Sequence, residues 1–222
     1  MSSKREPLVT GEYYHIYNRG VDKRDIFNDV SDLERFKESI KEFNQIDTIG
    51  SLQQLRALSP KSLEEMMIGR EPLVAIVAFT LNPNHFHFLL KQLVDGGIAK
   101  FMQKLSGGYT SYFNDKDGRS GSLFQGTFKS KLADDAYFKK IFPYVNQNYL
   151  VHDIPEDKLN LVFSSNQEYD SEVFDFISEV EGQFVLNMFN NKNEYKNHCK
   201  EIINIIREKR GKISLFDPDE LP

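Results

Sequence analysis

Two histidines on one face of a predicted strand are the first residues whose type and spacing suggest chemistry. His85 and His87 lie in the apolar stretch Leu81–Leu90, which reads LNPNHFHFLL. Side chains two positions apart in a strand point to the same face, about 7 Å apart along it. Neutral imidazole is a common metal ligand, so the pair can supply half of a metal site. The alternative is a half-exposed strand that carries two polar residues on its solvent face.

A tyrosine and an asparagine form the second candidate pair. Tyr144 and Asn148 lie in the predicted helix YFKKIFPYVNQNYLV, where residues four apart share one face. An asparagine oxygen can bind Mg²⁺ or Mn²⁺, and a tyrosine one turn away would face the same ion. Taken alone, Tyr144 also fits a core tyrosine whose hydroxyl lies at the surface. Of the remaining histidines, His15, His152 and His198, only His15 falls in a predicted sheet element.

The elements that must position these residues follow the order β-α-β-β-α-β-α. Strands are predicted at 12–19, 73–81, 85–93 and 121–133, and helices at 31–45, 98–114 and 134–150. The turn Asn-Pro-Asn joins the second and third strands into an antiparallel hairpin. This order predicts an α+β, ferredoxin-like split βαβ fold: an antiparallel sheet with helices on one face.

Composition and charge limit the functional classes. The chain has 222 residues and a formal net charge of −5. The apolar stretches are strand-sized and no secretory signal is evident, so we expect no membrane association. The single cysteine, Cys199, cannot form an internal disulfide, which favours a cytoplasmic protein. Basic residues dominate 100–140 and acidic residues dominate 151–181, so either a local basic face or two solvated surfaces of opposite sign is possible.

Four segments, in this order and with these gaps, are more specific than any one of them. They read NPNHFHFLL, GGYTSYFN, GSLFQGTFKS and PYVNQN. Together they resemble the HUH single-tyrosine transposases, and within these the REP-associated tyrosine transposases. The N-terminal segment YYHIYNRGVDKRDIF is similar to the first strand of that family and the loop after it. The resemblance implies a catalytic domain at 1–150 and a helical C-terminal extension at 151–222.

The resemblance also implies a role for each motif residue. His85 and His87 would bind the metal, Mg²⁺ or Mn²⁺, and Asn148 would complete its shell. Tyr144 would be the nucleophile. The chain departs from the family pattern at Tyr149, where proline is common, and at Thr127, where arginine is frequent. The first departure makes Tyr149 a rival nucleophile.

By the same resemblance, the protein is expected to be a DNA transposase or endonuclease. It would cleave and rejoin single-stranded or hairpin DNA through a 5′-phosphotyrosine intermediate, and the resemblance allows for a homodimer. Basic side chains that could bind DNA phosphates are Arg19, Lys23, Arg24, Lys104, Arg119, Lys129 and Lys131.

Three alternatives remain open at the level of sequence. The first is a domesticated nuclease that acts on repeated palindromes without mobility of its own. The second is a non-catalytic ferredoxin-like protein that binds nucleic acid, with no covalent adduct and no metal dependence. The third is a small metallohydrolase that uses the histidine pair and water, and whose cleavage would survive Tyr144→Phe.

Overall fold

A five-stranded antiparallel sheet forms the centre of the protein. The computed structural model describes residues 7–47 and 50–212. The strands are β1 (Tyr13–Arg19), β2 (Val74–Asn82), β3 (His85–Gln92), β4 (Lys129–Leu132) and β5 (Phe163–Ser164). Their order across the sheet is β4-β1-β3-β2-β5, and every neighbouring pair is antiparallel. Because β3 lies between β1 and β2, the latter two run parallel, and the predicted split βαβ arrangement is confirmed.

The helices connect and cover these strands. They are α1 (Val30–Phe43), α2 (Leu52–Arg56), α3 (Pro60–Met67), α4 (Gly97–Lys116), α5 (Asp135–Asn146), α6 (Asn166–Ser171), α7 (Glu179–Leu186) and α8 (Lys192–Lys212). Short 3-10 helices occur at Val21–Lys23, Asn148–Val151 and Glu156–Leu161. In the described part of the chain, no helix combines the length and the apolar character needed to cross a bilayer.

Helices pack on both faces of the sheet, so the expectation of helices on one face is wrong. On one face, α1 contacts β3, with the rings of Phe36 and Phe86 5.6 Å apart. On the other face, α5 contacts β1, with the rings of Tyr144 and His15 6.1 Å apart. The physical reason is visible in β2, a continuous apolar strand whose nine residues are all buried. Such a run favours a strand that is covered on both sides.

The fourth predicted strand is mostly a loop. Of the predicted range 121–133, only Lys129–Leu132 belongs to a strand, and Phe124 forms a single bridge to Gly20. Gly121 and Gly126 have φ values of +91° and +76°, which interrupt an extended chain. The loop between them folds over the end of β1.

Residues after 151 join the same core as the residues before it. β5 pairs with β2 at the edge of the sheet. Tyr195 of α8 is buried, and its hydroxyl accepts a 2.9 Å hydrogen bond from the Asn146 side chain at the end of α5. The division at residue 150 stays a prediction, but the C-terminal helix packs directly against the helix that carries Tyr144.

The end of α5 is tied to the sheet by one buried side chain. The Thr80 hydroxyl of β2 donates a 2.7 Å hydrogen bond to the carbonyl oxygen of Val145. Thr80 pairs with His87 in the sheet, so the two side chains share a face. This bond therefore holds the C-terminal end of α5 over the histidines.

We expect Thr80→Val to destabilise the protein by about 1 to 2 kcal/mol, because a buried carbonyl loses its partner. Chemical denaturation measures this free energy of unfolding. Thr110→Val, at a partly exposed position of α4, is the matched control and should change stability much less. Equal effects of the two substitutions would contradict the anchoring role of Thr80.

Candidate active site

The histidine pair is buried between the sheet and α5. His85 is 4% exposed and His87 is fully buried, so a solvent-facing strand is the wrong interpretation. Their rings meet nearly at right angles, with centroids 5.2 Å apart. The shared face that strand geometry predicts is therefore present, but protein covers it.

Hydrogen bonds orient the His85 ring toward the interior of the site. His85 Nδ1 lies 2.6 Å from Asn84 Oδ1, which can only accept, so Nδ1 carries the hydrogen. The lone pair of Nε2 then faces the Asn82 amide nitrogen at 2.9 Å and Asn148 Oδ1 at 3.1 Å. This tautomer is the one that leaves Nε2 available as a ligand.

Asn148 reaches the histidines from outside the helix that was expected to carry it. The helix α5 ends at Asn146, and Gln147 leaves helical geometry with φ −128° and ψ 30°. Asn148 begins the following 3-10 helix, so the expectation that Tyr144 and Asn148 share one helical face is wrong. Asn148 Oδ1 still accepts a 2.8 Å hydrogen bond from the Asn82 side chain, which keeps it at the site.

The same change of direction brings in His152, which sequence analysis did not assign to the site. Its ring centroid lies 4.4 Å from that of His85. The potential ligand atoms of His85, His87 and His152 all lie within 4.8 Å of one another. No spacing rule could have predicted this third histidine, because its position depends on the break in the helix at Gln147.

These residues fit a divalent metal ion. Adjacent ligands of an octahedral ion with bonds of about 2.1 Å lie about 3 Å apart, close to the 3.1 Å between His85 Nε2 and Asn148 Oδ1. The Asn82 side chain, whose amide nitrogen contacts His85 and Asn148, also has a buried Oδ1 without a hydrogen-bond partner. Among the described residues, no carboxylate joins the histidine cluster. Nitrogen donors favour transition metals over Mg²⁺.

Tyr144 packs edge-on against the histidines. Its ring centroid lies 5.3 Å from that of His87, and the side chain is only 1% exposed. The rival Tyr149 is half-buried, and burial followed by the nearby Asp170 carboxylate raises its pKa. Both tyrosines stay candidates for the nucleophile, and Tyr144 is the one whose ring contacts a motif histidine.

Two further aromatic residues of β1 line the site. His15 Nε2 lies 2.8 Å from His87 Nδ1. Burial, with a smaller contribution from Lys131, lowers the pKa of His15 to about 3, so the ring is neutral at physiological pH. Tyr17 is half-buried and stacks on His87 with ring centroids 5.6 Å apart. Neither residue was assigned to the site from the sequence, although the alternation of side chains along β1 places both on one face.

Three of the candidate DNA-binding residues share the face of the histidines. Lys129 pairs with Tyr17, Lys131 pairs with His15, and Arg19 pairs with His85. Residues opposite one another on neighbouring strands point to the same side. We call Arg19, Lys129 and Lys131 the basic strip.

The other four candidates lie elsewhere. Lys23 and Arg24 are exposed just beyond β1. The Arg119 guanidinium donates to Asn114 Oδ1 and to the Ser122 carbonyl oxygen in the loop after α4. Lys104 lies on α4, on the opposite side of the sheet, and donates to the carbonyl oxygen of Gln45 at 2.8 Å. The structure therefore does not bring Lys104 to the histidines.

One family model and one solved structure are similar to this chain. Residues 65–148 match the family model described as IS200-like transposase, which confirms the resemblance over that part of the chain. A solved structure of a REP-associated tyrosine transposase bound to a REP hairpin is 13% identical, with a TM-score of 0.48. The alignment covers 80% of this chain and 91% of the chain in the solved structure. No curated protein matches the sequence.

We expect the site to bind Mn²⁺ more tightly than Mg²⁺, because most of its donors are imidazole nitrogens. Titration calorimetry of the metal-free protein measures both affinities. His152→Ala should weaken Mn²⁺ binding about tenfold or more if His152 is a ligand. Asn148→Ala should weaken it as well if Asn148 is the ligand that the motif implies. His198→Ala is the matched control, since His198 contacts the Lys139 carbonyl oxygen elsewhere. Wild-type affinity in His152→Ala would exclude it as a ligand.

Proposed function

We propose, from the match to IS200-like transposases and the geometry of the site, that this protein cleaves and rejoins single-stranded or hairpin DNA through Tyr144. The observation that carries the proposal is the contact of the Tyr144 ring with His87, beside the His85–Asn148 contact. A phenol, two imidazoles and a carboxamide thus meet in one buried place. Few other activities use this combination of groups.

The chemical step is an exchange of phosphate esters. The phenolate oxygen of Tyr144 forms a bond to the scissile phosphorus, and the bond from phosphorus to the 3′ oxygen breaks. The phenol proton is released and the departing oxygen takes up a proton, leaving a free 3′-hydroxyl and a 5′-phosphotyrosine. Because the phosphate stays esterified, a second 3′-hydroxyl can reverse the reaction without ATP.

The metal ion would be held by His85 and His87, with Asn148 and His152 as the candidates for further positions. A bound Mg²⁺ or Mn²⁺ would stabilise the charge that develops on the phosphate oxygens. The protein contributes the orientation of these side chains. Asn84 fixes the His85 ring, and Asn82 holds the Asn148 carboxamide in place.

Burial of Tyr144 has two consequences for this reaction. A nucleophile must approach phosphorus to about 3 Å, so the end of α5 and the following 3-10 helix have to move when DNA enters. The same enclosure keeps water away from the phosphotyrosine afterwards, which protects the intermediate from hydrolysis. Rejoining requires such protection, whereas a hydrolase would need water at this position.

The basic strip is suited to guide DNA phosphates to the site. Lys129 and Lys131 extend from an edge strand, and Arg19 extends from its neighbour beside His85. Phosphate contacts of this kind supply affinity without reading sequence. Tyr17, half-buried among them, offers a ring on which a base can stack. Dimerisation and a cytoplasmic location stay predictions.

We expect a covalent protein–DNA adduct when the protein is incubated with Mn²⁺ and a labelled single-stranded hairpin. A denaturing gel detects the adduct, and mass spectrometry of the labelled peptide identifies the residue. Tyr144→Phe should abolish it, and His85→Ala should reduce it at least a hundredfold. Tyr149→Phe and Tyr17→Phe, which remove one hydroxyl each, serve as matched controls.

Each other outcome points to a different function. An adduct on Tyr149 or Tyr17 would move the nucleophile while keeping the reaction class. Cleavage without an adduct that survives Tyr144→Phe would indicate a metallohydrolase. Binding with neither cleavage nor metal dependence would indicate a non-catalytic nucleic-acid-binding protein.

We expect the double variant Lys129→Gln, Lys131→Gln to bind single-stranded DNA more weakly and with less salt dependence. Each lost phosphate contact should lower the slope of log affinity against log salt by about 0.7. Fluorescence anisotropy over a series of salt concentrations measures that slope. Lys104→Gln, on the far side of the sheet, is the comparison and should leave the slope unchanged. A smaller slope in Lys104→Gln alone would place the DNA on the opposite face.

A further inference from the structure

The buried contact between His15 and His87 has the geometry of a support for a metal ligand. His15 Nε2 and His87 Nδ1 are 2.8 Å apart, and the two ring planes differ by only 12°. His15 is 2% exposed and lies on β1, the strand next to β3. Neither His15 nor this contact belongs to the residues that the motif pattern singles out.

One hydrogen must lie between these two nitrogens, and its position decides what His87 can do. If His87 Nδ1 carries it, the lone pair of Nε2 on the same ring can bind a cation. If His15 Nε2 carries it, the neutral His87 ring holds its own hydrogen on Nε2 and cannot bind a metal there. The first arrangement is thus the one that makes His87 a ligand.

The other histidine of the pair, His85, also has a hydrogen-bonding partner at Nδ1. His85 Nδ1 donates to Asn84 Oδ1, which directs Nε2 of His85 into the site. His15 stands to His87 as Asn84 stands to His85. The Nδ1 atom of each histidine therefore has a hydrogen-bonding partner, a carboxamide on the preceding residue for His85 and an imidazole on the adjacent strand for His87.

The neighbours of His15 fix the position of its ring. Its ring stacks on Tyr17 at 4.8 Å, lies edge-on to Tyr144 at 6.1 Å, and faces Lys131 across the β1–β4 pair. Lys131 is the one charged group among these neighbours. These contacts hold the His15 ring in one orientation, with Nε2 2.8 Å from His87 Nδ1.

We infer that His15 is a positioning residue that holds His87 in the tautomer with Nε2 directed at the metal. The inference rests on the metal site of the proposed function. It does not require that Tyr144 be the nucleophile or that DNA be the substrate. Supports of this kind change metal affinity by about 10- to 100-fold when they are removed.

The test compares three substitutions on β1. His15→Phe keeps a planar ring in the stack but removes the acceptor. His15→Gln restores an acceptor oxygen near the position of Nε2. Tyr14→Phe is the matched control, because the Tyr14 side chain lies on the opposite face of the same strand. The substitution deletes a buried hydroxyl that accepts a 2.8 Å hydrogen bond from the Val9 amide.

Two measurements on the full-length chain without DNA decide the outcome. Calorimetry with MnCl₂ should show about 10- to 100-fold weaker binding for His15→Phe, recovery to within a few-fold for His15→Gln, and wild-type affinity for Tyr14→Phe. Long-range ¹H–¹⁵N spectra of the metal-free protein should show His87 with its hydrogen on Nδ1 in the wild type, and mixed tautomers in His15→Phe.

Failure of this inference and failure of the proposed function give different results. Equal Mn²⁺ affinities in His15→Phe and Tyr14→Phe, or an unchanged His87 tautomer in His15→Phe, would overturn the role of His15. Weak binding in His15→Gln equal to that in His15→Phe would do the same, because ring packing would then explain the effect. If the predicted affinity changes are observed but no covalent adduct forms on Tyr144, only the proposed reaction would be overturned.

Discussion

The candidate site depends on burying imidazole rings without leaving their polar atoms unsatisfied. A buried polar group without a hydrogen bond costs free energy, so each enclosed ring needs a partner of defined geometry. Asn84 and His15 supply partners for the Nδ1 atoms of His85 and His87. Once those atoms are satisfied, each Nε2 can point toward the common interior. The requirement to satisfy buried polar atoms therefore also orients the candidate metal ligands.

Cover on both faces of the sheet creates this environment. The helix α5 closes the histidine face, and its end is held by Thr80 of β2 and by Tyr195 of α8. Because the chain leaves helical geometry at Gln147, it turns back over the sheet and delivers Asn148 and then His152 to the same place. The site is therefore formed by residues of the sheet together with α5 and the turn that follows it.

The side chains around the site are basic, whereas the chain as a whole carries a negative net charge. The whole protein carries a formal charge of −5, yet the histidine face presents Arg19, Lys129 and Lys131. The candidate ligands are imidazoles and a carboxamide, which carry no negative charge, so any negative charge at this face has to come from what binds there. A DNA phosphate is an anion that could pair with the lysines and with a metal ion.

Sequence alone determined strands β1, β2 and β3, the hairpin and the shared face of His85 and His87, because these follow from local alternation and turn chemistry. It also indicated Tyr144 and the transposase family through the order of short motifs. Only the tertiary structure decided that this face is buried, that His15 supports His87, and that His152 joins the cluster. Those features depend on contacts between residues far apart in the chain and on one break in a helix, and neither leaves a periodic signal in the sequence.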